Sequence, residues 1–216
     1  MGGMRGRATV TRVNRCFAFL DLCAFTDFVD SHGDDAAVAE LTILRATVRE
    51  VAPLCGVRVD KWLGDGVMLV GVEAEPVVAA VVAIEHRFRA AHARLALRGG
   101  IAAGDVILLE GDDYVGRAVN LAARLADVAG PHQILAADDA QLELPAWVDA
   151  APAGSLEVKG FAQVVPVASL AAARAPGSGA LVLPGPVGSA LEGLLKPLRG
   201  KSRVAGDRGD ELHGPA

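Results

Sequence analysis

Two aspartates occupy positions at which a folded chain can hold side chains firmly. Asp21 ends the apolar segment Cys16–Leu20, and Asp65 lies between Gly64 and Gly66. If the segment is a strand and the glycines form a hairpin turn, both carboxylates can lie side by side in one antiparallel sheet. Paired carboxylates suit Mg²⁺ or Mn²⁺, and two such cations can drive phosphoryl transfer. Asp65 alone is equally consistent with an ordinary turn, whereas a carboxylate that ends an apolar strand is costly without a partner.

The segment that follows Asp21 predicts an anion site. A short turn begins at Leu22 and leads into a helix in which Phe25 and Phe28 recur at helical spacing. The first N–H groups of a helix have no intrahelical partner, and the helix dipole favours an anion beside them. A triphosphate held by two cations and by the helix start around Phe25 and Thr26 is consistent with this pattern.

A second candidate site lies on a later helix. Asn120 and Arg124 are four residues apart in an otherwise Ala-, Leu- and Val-rich stretch, so both face the same side of the helix. Taken alone, the pair is equally consistent with exposed surface. A planar guanidinium is also the natural group to stabilise charge that grows on a phosphoryl oxygen.

The elements that must position these residues form an α+β pattern. The apolar and turn residues predict, in order, a strand, two helices, a hairpin, a third helix, a second hairpin, a fourth helix and further strands. We place these at 16–20, 25–29, 41–51, 57–63 with 67–70, 75–95, 97–101 with 106–109, 115–129, and 133–136 with 156–167. The order predicts a ferredoxin-like antiparallel sheet with helices packed on one face.

Composition divides the chain into an arm, one domain and a tail. Residues 1–13 are short, basic and glycine-containing and are interpreted as a flexible arm, residues 14–170 as the folded domain, and residues 171–216 as a Gly/Pro/Ala-rich tail. The tail is predicted to be disordered. The alternative is a short amphipathic helix at 187–198 that docks on a regulatory partner or on the domain.

Charge and apolar patterning exclude several classes of protein. The formal net charge of −5 argues against nucleic acid as the main partner. The three cysteines show no CxxC spacing and are interpreted as buried residues in a reducing compartment. No apolar run is long enough to span a bilayer, and Asp21 interrupts the most apolar stretch near the N-terminus. We therefore expect a cytoplasmic protein without a membrane span.

Four stretches, in order, resemble the catalytic domain of the class III nucleotidyl cyclases, the adenylyl and guanylyl cyclases. They are FAFLDLCAFT, VDKWLGDGVMLV, RGGIAAGDVILLEGDDYVGRAVNLAARLADVAGPHQILAA and LEVKGF. The resemblance runs from about Arg15 to Leu170, nearly the whole predicted domain.

The resemblance implies a role for each site residue. Asp21 and Asp65 would hold two divalent cations, Mg²⁺ or Mn²⁺, with the Leu22 carbonyl as a further ligand. Lys61 and Asp113 would recognise adenine, because Lys61 can donate to ring N1 while Asp113 accepts from the exocyclic amine.

The remaining implied roles concern the ribose and the phosphates. Asn120 would orient the ribose, Arg124 would stabilise the transition state at the α-phosphate, and Lys159 would bind phosphate. The family forms head-to-tail homodimers, so one chain would supply the metal ligands and its partner the base-reading and transition-state residues.

The sequence therefore predicts an adenylyl cyclase that converts ATP to 3′,5′-cyclic AMP and pyrophosphate. One alternative is a guanylyl cyclase, and another is a non-catalytic cyclase-homology module that binds nucleotide and signals by its occupancy. Two departures bear on activity. Ala24 stands where the family usually has glycine, which would strain the loop or weaken triphosphate binding if a positive φ is required there. The 104–113 segment is also shorter than in many members.

Overall fold

A computed structural model describes residues 11–109, 113–138, 142–157 and 164–173. The elements in chain order are β1 (Thr11–Leu22), α1 (Phe25–His32), α2 (Asp34–Leu54), β2 (Arg58–Leu63), β3 (Gly66–Gly71), α3 (Ala74–Ala90), β4 (Leu97–Leu108), β5 (Tyr114–Val115), α4 (Arg117–Val128), β6 (Ile134–Ala137), β7 (Val148–Leu156) and β8 (Val165–Ala172). The α+β class, the four helices and the first hairpin are confirmed. No helix in these ranges is both long and apolar enough to cross a membrane.

The strands form a single sheet in which β1 lies between β3 and β4. The order is β2-β3-β1-β4-β6-β8-β7, and β5 pairs with β4 beside this path. All pairs are antiparallel except β4 with β6, which is parallel. The predicted antiparallel sheet is confirmed except at this pair, where α4 forms a crossover that returns the chain in the same direction.

Helices cover both faces of the sheet, so the prediction of helices on one face was wrong. Ala18 and Leu20 of β1 pack into a core that includes α2 and α3, whereas Phe17 packs into a second core with Leu121 and Leu125 of α4. Successive strand residues point to opposite faces. An apolar run without alternation, as in Phe17–Leu20, indicates a strand that is buried on both sides.

The predicted second hairpin is a single strand instead. β4 pairs with β1 residue by residue from Leu22↔Leu97 to Thr11↔Leu108. Asp105 lies inside this ladder, where its Oδ1 accepts a hydrogen bond from Asn14 Nδ2 at 2.9 Å. Because β1 continues past this point and supplies partners for the backbone, the Gly104-Asp105 pair has no need to turn.

Several boundaries differ from the sequence prediction. Residues 11–13, assigned to the flexible arm, belong to β1 because they pair with 106–108. α3 ends at Ala90 instead of Leu95, because the buried Glu40 carboxylate accepts the backbone N–H groups of Arg94 (3.0 Å) and Leu95 (3.3 Å). At the other end, β8 includes Ala171 and Ala172, which were assigned to the tail. Residues 1–10 and 174–216 lie outside the described residues.

Candidate functional site

The turn between β2 and β3 places Asp65 beside Asp21. Asp21 is the penultimate residue of β1 and pairs with Gly66, the first residue of β3. Asp65 directly precedes Gly66 in the two-residue turn that follows Leu63. The predicted approach of the two carboxylates is therefore present, and both lie at one end of the central strands.

Gly66 leaves room for this approach. A Cβ atom built on Gly66 would lie 2.9 Å from the Leu20 carbonyl oxygen and 3.3 Å from Asp21 Oδ1. A side chain would therefore push apart the two strands that position the carboxylates. The glycine after Asp65 is needed for close packing at the site.

The electrostatics of the pair fit a divalent cation. Burial raises the pKa of Asp65, and the adjacent Asp21 carboxylate raises it further. A divalent cation between two adjacent carboxylates relieves their mutual repulsion, because it neutralises both. The described part of the chain has no cluster of three or more His, Cys, Asp or Glu side chains placed to hold a metal. A cation here would take its other ligands from backbone oxygens such as that of Leu22, from water or from phosphate.

Arg98 is a member of the site that sequence reasoning missed. It lies opposite Asp21 on β4, and its Nη2 and Nε donate to Asp21 Oδ2 at 2.7 and 3.1 Å. This hydrogen bond raises the pKa of Arg98 above its ordinary value. Its Nη1 also donates to the Asp127 carbonyl at 2.9 Å. No local sequence pattern marks Arg98, because its role depends on the residue of β1 that it faces.

The loop after Asp21 has the backbone conformation that glycine favours. Ala24 adopts φ 55° and ψ 35°, immediately before α1. The backbone here does adopt a positive φ, the condition under which alanine in place of glycine would be strained, so Ala24 bears that strain. Phe25 and Thr26 form the first turn of α1, with Phe25 partly buried against the core and Thr26 exposed. The Phe28 N–H bonds to the Ala24 carbonyl, which leaves the amides of residues 25–27 available to an anion.

The two residues predicted to recognise the base lie in contact, although 52 positions separate them. Lys61 Nζ donates to Asp113 Oδ1 at 2.5 Å, and both side chains are substantially exposed. The hydrogen bond that Lys61 donates to Asp113 raises the pKa of Lys61. Lys61 comes from β2, and Asp113 immediately precedes β5, whose Tyr114 packs edge-to-face on Phe17.

Asn120 and Arg124 lie on α4, both exposed to solvent. Arg124 Nη1 contacts Asp127 Oδ2 at 3.1 Å, one turn farther along the helix. α4 sits very close to β4: a Cβ built on Gly100 would lie 2.2 Å from the Ala122 carbonyl oxygen and 2.3 Å from the Ala126 nitrogen. Gly100 therefore sets the height of α4 above the sheet.

The structure brings the predicted residues together in three groups. These are Asp21 with Asp65, Lys61 with Asp113, and Asn120 with Arg124. In the described ranges, a chain of contacts through Arg98 and Asp127 connects the first group to Arg124. Lys159 lies outside the described residues.

Comparison with curated proteins identifies mycobacterial relatives. The chain is 41% identical over 143 residues to uncharacterized proteins of Mycobacterium tuberculosis and Mycobacterium bovis. The matched region covers 66% of this chain and 37% of each relative, so the chain spans little more than a third of their length. No protein-family model matches the chain.

Comparison with solved structures identifies similar folds. The adenylyl cyclase CyaB from P. aeruginosa aligns with a TM-score of 0.63 at 23% identity, covering 77% of this chain and 97% of that chain. A rhodopsin-guanylyl cyclase catalytic core with converted specificity, in complex with ATPαS, aligns at 0.66 and 21%, covering 76% and 98%. The guanylate cyclase domain of RhGC from Catenaria anguillulae, in complex with GTP, aligns at 0.64 and 20%, covering 76% and 100%. At these identities the likeness is one of fold.

Proposed function

We propose that this chain, which has the fold of the class III adenylyl and guanylyl cyclase catalytic domains, is an adenylyl cyclase. It converts ATP to 3′,5′-cyclic AMP and pyrophosphate. The ribose 3′-oxygen attacks the α-phosphorus in line and forms the new ester bond. The bond from the α-phosphorus to the bridging oxygen breaks, pyrophosphate leaves, and the hydroxyl proton passes to solvent.

The observation that carries the proposal is the contact between Lys61 and Asp113 in the same sheet as the carboxylate pair. An ammonium donor beside a carboxylate acceptor matches adenine, which has an acceptor at N1 and a donor at its amine. Guanine presents the opposite polarity, with an acceptor at O6 and a donor at N1. The Lys61–Asp113 pair therefore favours ATP over GTP.

The paired carboxylates Asp21 and Asp65 also support the proposal. Asp21, Asp65 and the Leu22 carbonyl would hold two divalent cations, Mg²⁺ or Mn²⁺. When bound, these supply Lewis-acid activation of the 3′-hydroxyl and neutralise charge on the triphosphate. Arg98 holds the Asp21 carboxylate by two hydrogen bonds, which fixes its orientation before substrate arrives.

Three further parts of the chain act on the sugar and the phosphates. The free amides at the start of α1, around Phe25 and Thr26, would donate hydrogen bonds to a phosphate oxygen. Asn120 would orient the ribose, and Arg124 would stabilise charge at the α-phosphate. Lys159 would contribute a further phosphate contact.

The active unit is a head-to-tail homodimer whose sites are shared between the two copies. One copy supplies Asp21 and Asp65, and the other supplies Lys61, Asp113, Asn120 and Arg124 with Lys159. The exposure of the Arg124 side chain, 53%, supports this arrangement because an exposed side chain is accessible to a partner surface.

The first experiment tests the metal half. Asp21→Asn and Asp65→Asn each remove one charged ligand while keeping side-chain size, so cyclic nucleotide production from ATP with Mg²⁺ or Mn²⁺ should fall about a thousandfold or more. Asp105→Asn is the matched control, an exposed carboxylate in the same sheet whose partner is Asn14. Production within about tenfold of wild type in either ligand variant would contradict the assignment.

The second experiment tests the preference for adenine. The double variant Lys61→Glu with Asp113→Ser reverses the donor and acceptor pattern, so ATP use should fall and relative GTP use should rise. Each mismatched group costs about 1 to 3 kcal/mol. The measurement is the ratio of kcat/KM for the two nucleotides. An unchanged ratio would show that the base is recognised elsewhere.

A further inference from the structure

A bulge in β2 determines which way Lys61 points. Val59 pairs with Leu69 of β3 and Lys61 pairs with Met68, so Asp60 is an extra residue without a partner on β3. In a regular strand, residues 59 and 61 would share a face. Here they oppose consecutive residues of β3, so they point to opposite faces.

The bulge moves Lys61 away from the core beneath α2 and α3. Val59 and Leu69 pack into that core, whereas Met68 belongs to the core on the α4 side. If β2 were regular here, Lys61 would share a face with Val59 and point toward α2 and α3. With it, Lys61 reaches Asp113 on the other side of the sheet.

The extra residue is a buried carboxylate. The Asp60 side chain is only 4% exposed. Its Oδ1 accepts from Arg58 Nη2 at 2.7 Å, and the same nitrogen donates to the Tyr114 hydroxyl at 3.1 Å. Its Oδ2 is buried without a hydrogen bond, and lies 3.7 Å from Lys61 Nζ. A buried carboxylate oxygen without a hydrogen bond is costly unless a cation lies near it.

Lys61 thus lies between two carboxylates of different character. Asp113 is 62% exposed and would have to turn toward the amine of an incoming purine, whereas Asp60 is enclosed and cannot follow. Once Asp113 engages the base, Asp60 is the carboxylate that remains beside the Lys61 ammonium.

We propose that Asp60 is a positioning residue that determines base specificity, because it holds the Lys61 ammonium toward the purine while Asp113 engages the amine. This role rests on the proposed function, because Asp60 would act on the part of the proposed active site that binds the base. Asp60 itself does not touch the nucleotide.

The test measures nucleotide binding without turnover. 3′-deoxy-ATP and 3′-deoxy-GTP lack the attacking oxygen, so equilibrium dialysis with Mg²⁺ reports the base preference even if no product forms. In Asp60→Asn, the preference for 3′-deoxy-ATP should fall about tenfold. For ATP itself, KM should rise while kcat stays within about threefold. Asp105→Asn, which removes one exposed carboxylate of the same sheet, should keep the wild-type preference.

A double-mutant cycle separates positioning from a general structural effect. If Asp60 acts through Lys61, the Asp60→Asn change should have no further effect on base preference in a Lys61→Met background. Asp60→Ser, which is smaller and can still accept from Arg58, carries the same expectation if Asp60→Asn fails to fold.

Three outcomes would overturn the role of Asp60. These are wild-type preference in Asp60→Asn, equal loss in the Lys61→Met background, and a wild type that binds both deoxynucleotides alike. A wild type that prefers 3′-deoxy-ATP but makes no cyclic nucleotide from ATP would overturn the proposed function instead. In that case the comparison among the variants would still decide the role of Asp60.

Discussion

At the scale of single residues, the charged side chains Asp21, Asp65 and Arg98 lie close enough to influence one another. Asp21 accepts two hydrogen bonds from Arg98 and raises the pKa of Asp65, so one carboxylate is already paired while its neighbour retains its proton more strongly. A cation that enters here completes the neutralisation of the two carboxylates that Arg98 begins. The pair is thus prepared for a cation without needing a third carboxylate.

The backbone strain at Ala24 leads to a prediction about the stability of the protein. The Ala24 φ of 55° costs an L-residue about 1 to 2 kcal/mol, part of which is offset because glycine loses more chain entropy on folding. Ala24→Gly should therefore raise the free energy of unfolding by about 1 kcal/mol. Urea denaturation of the two proteins measures the difference.

The control for Ala24 makes the same change on a regular helix. Ala46 is exposed in the interior of α2, so Ala46→Gly should lower the free energy of unfolding by about 1 kcal/mol. Equal losses in both variants would mean that Ala24 is not strained.

At the scale of elements, the sequence predicted those parts of the fold whose signals are local. The helices, the first hairpin and the contact of Asp21 with Asp65 follow from short apolar patterns and one glycine-flanked turn. The continuity of β4 could not be predicted locally, because it depends on β1 supplying partners across 12 residues. The bulge at Asp60 was missed as well, although the apolar alternation shifts by one residue between Val59 and Trp62.

Arg98 shows why part of the site could not be predicted. Its role depends on the register between β1 and β4, which places it directly opposite Asp21. Asp21 and Arg98 are 77 residues apart in the sequence. The register between their strands is a tertiary property, set by packing on both faces of the sheet. Sequence periodicity carries no information about it.

The close packing of α4 on β4 leads to a prediction at the scale of elements. Gly100→Ala places a methyl group against the backbone of Ala122 and Ala126, so α4 must move away from the sheet. Asn120 and Arg124 move with it, and kcat should fall by about tenfold or more, since small misplacements of catalytic groups are costly. Steady-state kinetics with ATP measure the loss.

The control for Gly100 is a glycine just beyond the same helix. A Cβ on Gly130 would meet nothing nearer than Gln133 Oε1 at 3.6 Å, an ordinary contact. Gly130→Ala should therefore keep kcat near that of wild type. A Gly100→Ala enzyme with unchanged kcat would show that α4 does not position the catalytic groups.

At the scale of the whole molecule, the candidate site residues lie on separate helices and strands. The carboxylate pair lies where β1 meets the β2–β3 turn, and the exposed Asn120 and Arg124 lie on α4. Within one chain, Arg124 is tied to Asp127, whose carbonyl accepts from Arg98. Two arrangements are therefore physically distinct: Arg124 acts on the substrate of a second copy, as we propose, or on that of its own chain.

Complementation between two inactive variants tests most directly the central claim that ATP is cyclised at a site built from two copies. The Asp21→Ala variant lacks a metal ligand, and the Arg124→Ala variant lacks the residue that stabilises the transition state. Each variant should therefore be inactive alone. In a mixed dimer both lesions fall in the same site, and the other site is wild type. With free exchange, a one-to-one mixture holds about half mixed dimers, so cyclic AMP production should recover to about a quarter of wild type. No recovery, with mixed dimers confirmed by differential tags, would contradict the shared site.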